Sequence, residues 1–163
     1  MNLDDAHREL KRHFEDASDR SQIAEHVLIY HAPTVRVKGV LSISLVPGNH
    51  SIRIMGIPER TGDLAAVATH LRQGDILFIG SIHQLPQPVC AMLADVMATF
   101  MIRIEVGKGR SANEVTLQLP QFTVIGATSQ PSLLPDTLQK SFQKQVWIEG
   151  NDEDSLTQPE RVR

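Results

Sequence analysis

The sequence predicts an α/β fold: a mainly parallel sheet with helices on both faces and one inserted β-hairpin. Three observations predict it. Segments of helical period alternate with short apolar runs, the pattern of strands joined through crossover helices. Ile76-Leu77-Phe78-Ile79 is an unbroken apolar run, as in a strand covered on both faces. Aromatic residues make up 4% of a chain that is 41% hydrophobic, so aliphatic side chains must build the core, which suits buried parallel strands.

Residues 4–26 read as a helix, with Ala6, Leu10, Phe14 and Ala17 at spacings of three and four. Val27-Leu28-Ile29-Tyr30 reads as a buried strand, interrupted after Pro33. Residues 40–46 suit either a buried helix or a strand, and the alternation of elements favours the helix. Pro47-Gly48-Asn49 marks a turn before the alternating strand Ile52-Arg53-Ile54. Thr61 is placed to cap a helix over 62–73, with Leu64, Val67, Ala68 and Leu71 as its apolar stripe and Gly74 as its stop. After the strand at 76–79, Pro86 and Pro88 open a helix running through Cys90, Leu93, Val96 and Met97 toward Phe100. The period then becomes two. Ile102, Ile104 and Val106 precede a glycine-containing loop, and Val115, Leu117 and Leu119 follow it, which predicts a hairpin. A strand at Phe122-Thr123-Val124-Ile125, a turn at Gly126-Ala127-Thr128 and a short amphipathic helix over 137–143 complete a single domain spanning 1–150. The tail 151–163 is polar, with Leu156 and Val162 its only aliphatic residues, and is expected to be disordered.

Composition excludes several classes. A net charge of -3 gives no general attraction to phosphate backbones, so strong direct DNA binding is not expected. Cys90 stands alone among apolar neighbours, reads as a buried structural thiol, and suits a reducing cytoplasm. Neither a signal sequence nor a membrane-length apolar run is present, so a cytoplasmic location without membrane insertion is expected. The 7 histidines form no His-Glu-x-x-His or Cys/His pattern, so no metal site is expected. Ser81 and His83 lack a Gly-x-Ser-x-Gly elbow. Gly107-Lys108-Gly109-Arg110-Ser111 joins two alternating runs rather than a strand and a helix, which makes it a hairpin turn and not a phosphate cradle.

Five segments, in order, carry a resemblance: Glu25-His26-Val27-Leu28-Ile29-Tyr30, Glu59-Arg60-Thr61-Gly62-Asp63-Leu64-Ala65-Ala66, Gly74-Asp75-Ile76-Leu77-Phe78-Ile79, Ile82-His83-Gln84-Leu85 and Phe122-Thr123-Val124-Ile125-Gly126-Ala127-Thr128. Together they resemble the large ATPase domain of the RuvB-like AAA+ family of Holliday-junction branch-migration motors. The likeness runs over about residues 6–149, with one short deletion near Ile57. It implies a P-loop NTPase-like three-layer sandwich with a protruding hairpin, ATP and Mg²⁺ as the family's cofactors, a RuvA-like partner or another AAA+ subunit, and self-assembly. The chain ends before the family's lid and winged-helix domains would fit, so both are expected to be absent.

The departures from the family pattern fall on the chemistry. A P-loop needs glycines that turn backbone N–H groups toward phosphates, a lysine, and a hydroxyl for Mg²⁺. Here His31-Ala32-Pro33-Thr34-Val35-Arg36-Val37-Lys38-Gly39 follows Tyr30. By ungapped comparison Thr34 and Arg36 replace the two later loop glycines, Val37 the lysine, and Lys38 the metal-binding threonine. The Walker B carboxylates correspond to Gly80 and Ser81, and the arginine-finger segment to Leu138-Gln139-Lys140-Ser141-Phe142, which puts Gln139 and Ser141 where arginines are expected. No bound cofactor is therefore expected, ATP and Mg²⁺ entering by resemblance alone. Arg36, Lys38 and Gly39, with Arg53 and Arg60 as possible neighbours, and the sensor-1-like Thr128 are what remain for an anion; a solvated surface and a turn cap are the plainer readings.

On the hairpin, Ile104 and Val106 are either anchors for a protein partner or part of the chain's own core. The function expected is a catalytically degenerate binding or scaffold module in a DNA recombination or repair complex. The alternatives are an ATP-dependent branch-migration helicase subunit with an unconventional nucleotide site, or a decayed relative.

Overall fold

The computed structural model describes residues 1–42, 45–107, 109 and 113–149; the expected tail at 151–163, most of the hairpin loop and the Val106 side chain lie outside the described residues. In chain order the elements are α1 (Leu3–Asp19), β1 (Val27–His31), β2 (Ile52–Met55), α2 (Thr61–Ala68), β3 (Ile76–Ile79), α3 (Gln87–Thr99), β4 (Met101–Val106), β5 (Asn113–Gln118), β6 (Thr123–Thr128), α4 (Asp136–Gln139) and β7 (Lys144–Ile148). Five strands form one parallel sheet in the order β2-β3-β6-β1-β7, while β4 and β5 pair separately as an antiparallel hairpin.

The central strands are those with continuous apolar runs. Every residue of β3 and β6 is buried, as are the first four of β1. Two cores flank the sheet. Leu28, Tyr30, Leu77 and Ile79 meet α2, α3, α4 and Ile102 of the hairpin on one face. Val27, Ile29, Ile76 and Phe78 meet Ala6, Leu10 and Phe14 of α1 and Val35, Val40, Leu45 and Val46 on the other. The expected three-layer α/β sandwich is thus the observed one.

Several boundaries differ from expectation, each for a local reason. The first helix ends at Asp19 rather than near residue 26. Ser21 adopts a left-handed φ of 54°, the Gln22 N–H returns to the Ala17 carbonyl at 2.8 Å and the Ser21 N–H to Ser18 at 3.0 Å, which is the double bond of a Schellman stop. Thr61 is the first helical residue of α2, not its cap. The Asp63 carboxylate instead accepts the Arg60 N–H at 3.1 Å and the Glu59 N–H at 3.2 Å, and the helix stops at Ala68, short of residue 73. No α-helix occupies the described part of 40–46. A 3-10 turn, Val37–Val40, leads into it, in a stretch where Val37, Gly39 and Val40 are poor helix formers. Gly126-Ala127-Thr128 is strand, not turn. Glycine is required at 126 by packing, since a Cβ there would lie 2.7 Å from Ile82 Cδ1 and 2.9 Å from Phe142 Cζ. The last helix is only Asp136–Gln139 rather than 137–143. Edge strand β7 was not anticipated, because only Val146 and Ile148 of its five residues are buried.

Candidate functional site

Parallel α/β sheets offer ligands the carboxyl ends of their strands, and here the sequence candidates gather at that edge. Tyr30 of β1 is in register with Thr128 of β6, and Ile79 of β3 with Gly126, so the 31–39 loop, Gly80-Ser81 and Thr128 leave three adjacent strands at one level. Gln139 of α4 joins them, its Nε2 donating to the Tyr30 hydroxyl at 2.7 Å. Arg53 does not: it lies on β2, three strand spacings or about 14 Å from β1.

The loop after β1 is closed on itself. The Val35 N–H bonds to the Ala32 carbonyl at 3.0 Å, Gly39 to Arg36 at 2.9 Å and Leu41 to Lys38 at 3.0 Å. No residue from 31 to 42 has a positive φ, whereas a phosphate nest alternates left- and right-handed residues so that successive N–H groups converge outward. Val35 and Val40 are buried and pin the loop to the α1 face, leaving Arg36, Lys38 and Gly39 exposed. The 3-10 segment has four residues, too few for the aligned dipole of a helix N-terminus.

At the exit of β3, Gly80 and Ser81 carry no carboxylate, and Ser81 takes a left-handed φ of 49°. Two residues on, His83 Nδ1 lies 2.8 Å from the hydroxyl of the fully buried Thr128, which also accepts the Gln130 N–H at 3.0 Å. The sensor-like hydroxyl is therefore engaged within the fold. Ser141 is engaged too, its hydroxyl donating to the Thr137 carbonyl at 3.1 Å. Among the described residues no group of three His, Cys, Asp or Glu side chains is arranged to hold a metal ion, and no helix is long and apolar enough to cross a membrane.

Two features escaped the sequence reading. Tyr30 stacks on Trp147 of β7, with centroids 4.3 Å apart and planes at 18°, and Trp147 remains 60% exposed at the rim of the site. A lone tryptophan in a strand is the only sequence signal for this. The second is His26 at the opposite end of β1. Its Nδ1 accepts the Val124 N–H at 2.9 Å while Nε2 lies 3.1 Å from the Met97 carbonyl, so the ring is the neutral Nε2–H form. Burial pushes its pKa below 6.5, against a smaller upward pull from the Met97 carbonyl. Burial likewise raises that of the Cys90 thiol.

The hairpin stands apart from this edge. Ile102 is buried and Ile104 half-buried against the α2–α3 core, so Ile104 packs in part on its own protein. Beside it, Leu117 and Val115 are exposed, and Thr61, Gly62, Ala65, Met92, Ile104 and Leu117 help line an open cleft of about 710 Å³.

Comparison with known proteins agrees with this fold. The model of the Holliday junction DNA helicase RuvB P-loop domain matches residues 2–147. The RuvB subunit of the Holliday junction branch migration complex of Enterococcus faecalis is 37% identical over 141 residues, covering 85% of this chain and 42% of that protein. Its counterpart in Latilactobacillus sakei is 40% identical over 139 residues, covering 82% and 41%. A solved mutant of Thermotoga maritima RuvB superimposes with a TM-score of 0.70 at 25% identity, over 89% of this chain and 45% of that one. The chain thus spans about two fifths of the length of the curated relatives it matches.

Proposed function

The chain belongs to the RuvB P-loop domain family, and from that premise we propose that it is a nucleotide-independent binding module of a Holliday-junction or related recombination and repair complex. The observation that carries this reading is the closed loop at 32–41. Its Val35, Gly39 and Leu41 N–H groups are bonded to its own carbonyls and no residue in it has a positive φ, so Mg-ATP would find no phosphate cradle there. Gly80 and Ser81 supply neither a metal-binding carboxylate nor one to polarise water, and Gln139 turns inward to Tyr30 instead of reaching a neighbouring subunit. Residues 1–150 act as the folded unit, in the cytoplasm, without ATP or Mg²⁺ as working cofactors.

In this reading function lies in protein contact. Ile104 and Val106 of the hairpin, with Leu117, take a RuvA-like protein or another AAA+ subunit, and DNA is held by those partners. The test is titration of a RuvA-like protein with and without ATP. The reading expects binding that nucleotide leaves unchanged and that Leu117→Ser, or Ile104→Ser with Val106→Ser, weakens at least tenfold while thermal melts report the fold. ATP-dependent binding would contradict it. That outcome would favour the second reading, an ATP-dependent branch-migration subunit using exposed Arg36, Lys38 and Gly39 with the His83–Thr128 pair, and would direct attention to Lys38→Ala.

A further inference from the structure

The hairpin is a sheet of two strands, and its outer strand ends in solvent. All six residues of β5 are exposed, and among the described residues no third strand pairs with it. The hairpin's other edge, β4, is equally long but carries buried Ile102 and half-buried Ile104 against the core, and the edges of the large sheet are shorter or partly covered. Strand β2 has four residues, and at the end of β7 the Glu149 N–H already bonds to the Met1 carbonyl at 2.9 Å.

Which backbone groups of β5 are open follows from one bond. The Leu119 N–H donates to the Phe100 carbonyl at 2.7 Å, and in an antiparallel ladder such bonded pairs recur at every second residue. Leu117 and Val115 therefore direct their N–H and C=O groups to Ile102 and Ile104, while those of Glu114, Thr116 and Gln118 point away from β4. An open edge of this kind is a template for another strand.

We propose that β5 pairs with β5 of a second copy of this chain, antiparallel about a two-fold axis through Thr116. The sequence is self-complementary in that register. Thr116 faces its own equivalent, Val115 faces Leu117 of the second copy, and Glu114 faces Gln118 of the second copy. The outward N–H and C=O groups of Glu114, Thr116 and Gln118 all find partners, and Val115 and Leu117, 40% and 38% exposed, cover one another. Neighbouring symmetric registers are poorer: one sets Leu117 against Asn113, and the other sets Glu114 against Pro120, which has no N–H. The contact uses the edge of the hairpin and covers Val115 and Leu117, so it competes for Leu117 with the partner contact proposed above while leaving Ile104 open, and it does not depend on the nucleotide reading.

The test is sedimentation velocity of the intact chain from about 10 to 500 μM, the range in which so small an interface is read. A concentration-dependent dimer is expected. Thr116→Pro removes an outward N–H without touching the β4–β5 bonds and should leave a monomer. Gln118→Lys sets a cation against Glu114 of the second copy and should tighten the dimer by about 2- to 30-fold over the two symmetric pairs, whereas Gln118→Glu should weaken it comparably. These two exposed substitutions keep the test decisive if the proline variant unfolds. A chain that stays monomeric at the highest concentration overturns the proposal, as does a dimer whose constant is the same in every variant that circular dichroism shows to be folded.

Discussion

Replacing Gly126 by alanine is the sharpest probe of how the site edge is packed. Gly126 lies mid-strand in β6 between Thr128 and the start of the sheet, and its new Cβ would sit 2.7 Å from Ile82 Cδ1, 2.9 Å from Phe142 Cζ and 3.3 Å from Phe142 Cε1. Ile82 is 0% and Phe142 4% exposed, so neither can swing into solvent to make room. Overpacking of this kind costs about 1–3 kcal/mol, which for a domain of this size lowers Tm by about 2–12 °C. Urea denaturation followed by Trp147 fluorescence and by far-UV circular dichroism measures it directly. Ile82→Val removes the closest atom, so the alanine should cost less in that background than in the wild type. A neutral Gly126→Ala, or a cost simply additive with Ile82→Val, would place residue 126 in an open turn and refute the packing argument.

Three further outcomes follow from the geometry. Thr128→Val removes a buried hydroxyl, leaving the Gln130 N–H and His83 Nδ1 without it, and should cost about 1–3 kcal/mol in the same denaturation assay. Gln139→Ala frees the Tyr30 hydroxyl and should cost about 0.5–1.5 kcal/mol while shifting the emission of the stacked Trp147. His26 is held neutral by burial, so below pH 6.5 the unfolded chain takes up a proton that the folded chain refuses. The stability present above pH 6.5 should fall as pH drops toward the depressed folded value, by up to about 1.4 kcal/mol per pH unit. His26→Gln should be less stable at neutral pH but lack that component of the slope, and parallel pH profiles for the two proteins would refute it.

What the sequence made legible was what local pattern determines. Continuous runs such as Ile76-Leu77-Phe78-Ile79 identified β3 and β1, and the change of period after Phe100 identified the hairpin. Positions where one residue type meets distant neighbours were not legible. Gly126 resembled a turn glycine because the reason for it, Ile82 and Phe142, lies elsewhere in the chain. Strand β7 is half polar because one of its edges and much of one face are open, so its period was too weak to read. At the site, the replaced residues Gly80, Ser81, Gln139 and those of 34–38 could be named from sequence, but their new engagements could not. Gln139 and Tyr30 are 109 residues apart, and the closure of the 32–41 loop depends on backbone angles that no side-chain pattern specifies.

We infer that the edge built by Tyr30, Ser81 and Thr128 does not serve nucleotide. Titration of the protein with Mg-ATP and Mg-ADP, read as calorimetric heat together with the fluorescence of Trp147 at the rim of that edge, decides it. No saturable signal and no thermal stabilisation at millimolar nucleotide is the predicted result. Saturable binding tighter than about 100 μM, roughly -5.5 kcal/mol, and abolished by Lys38→Ala, would contradict it.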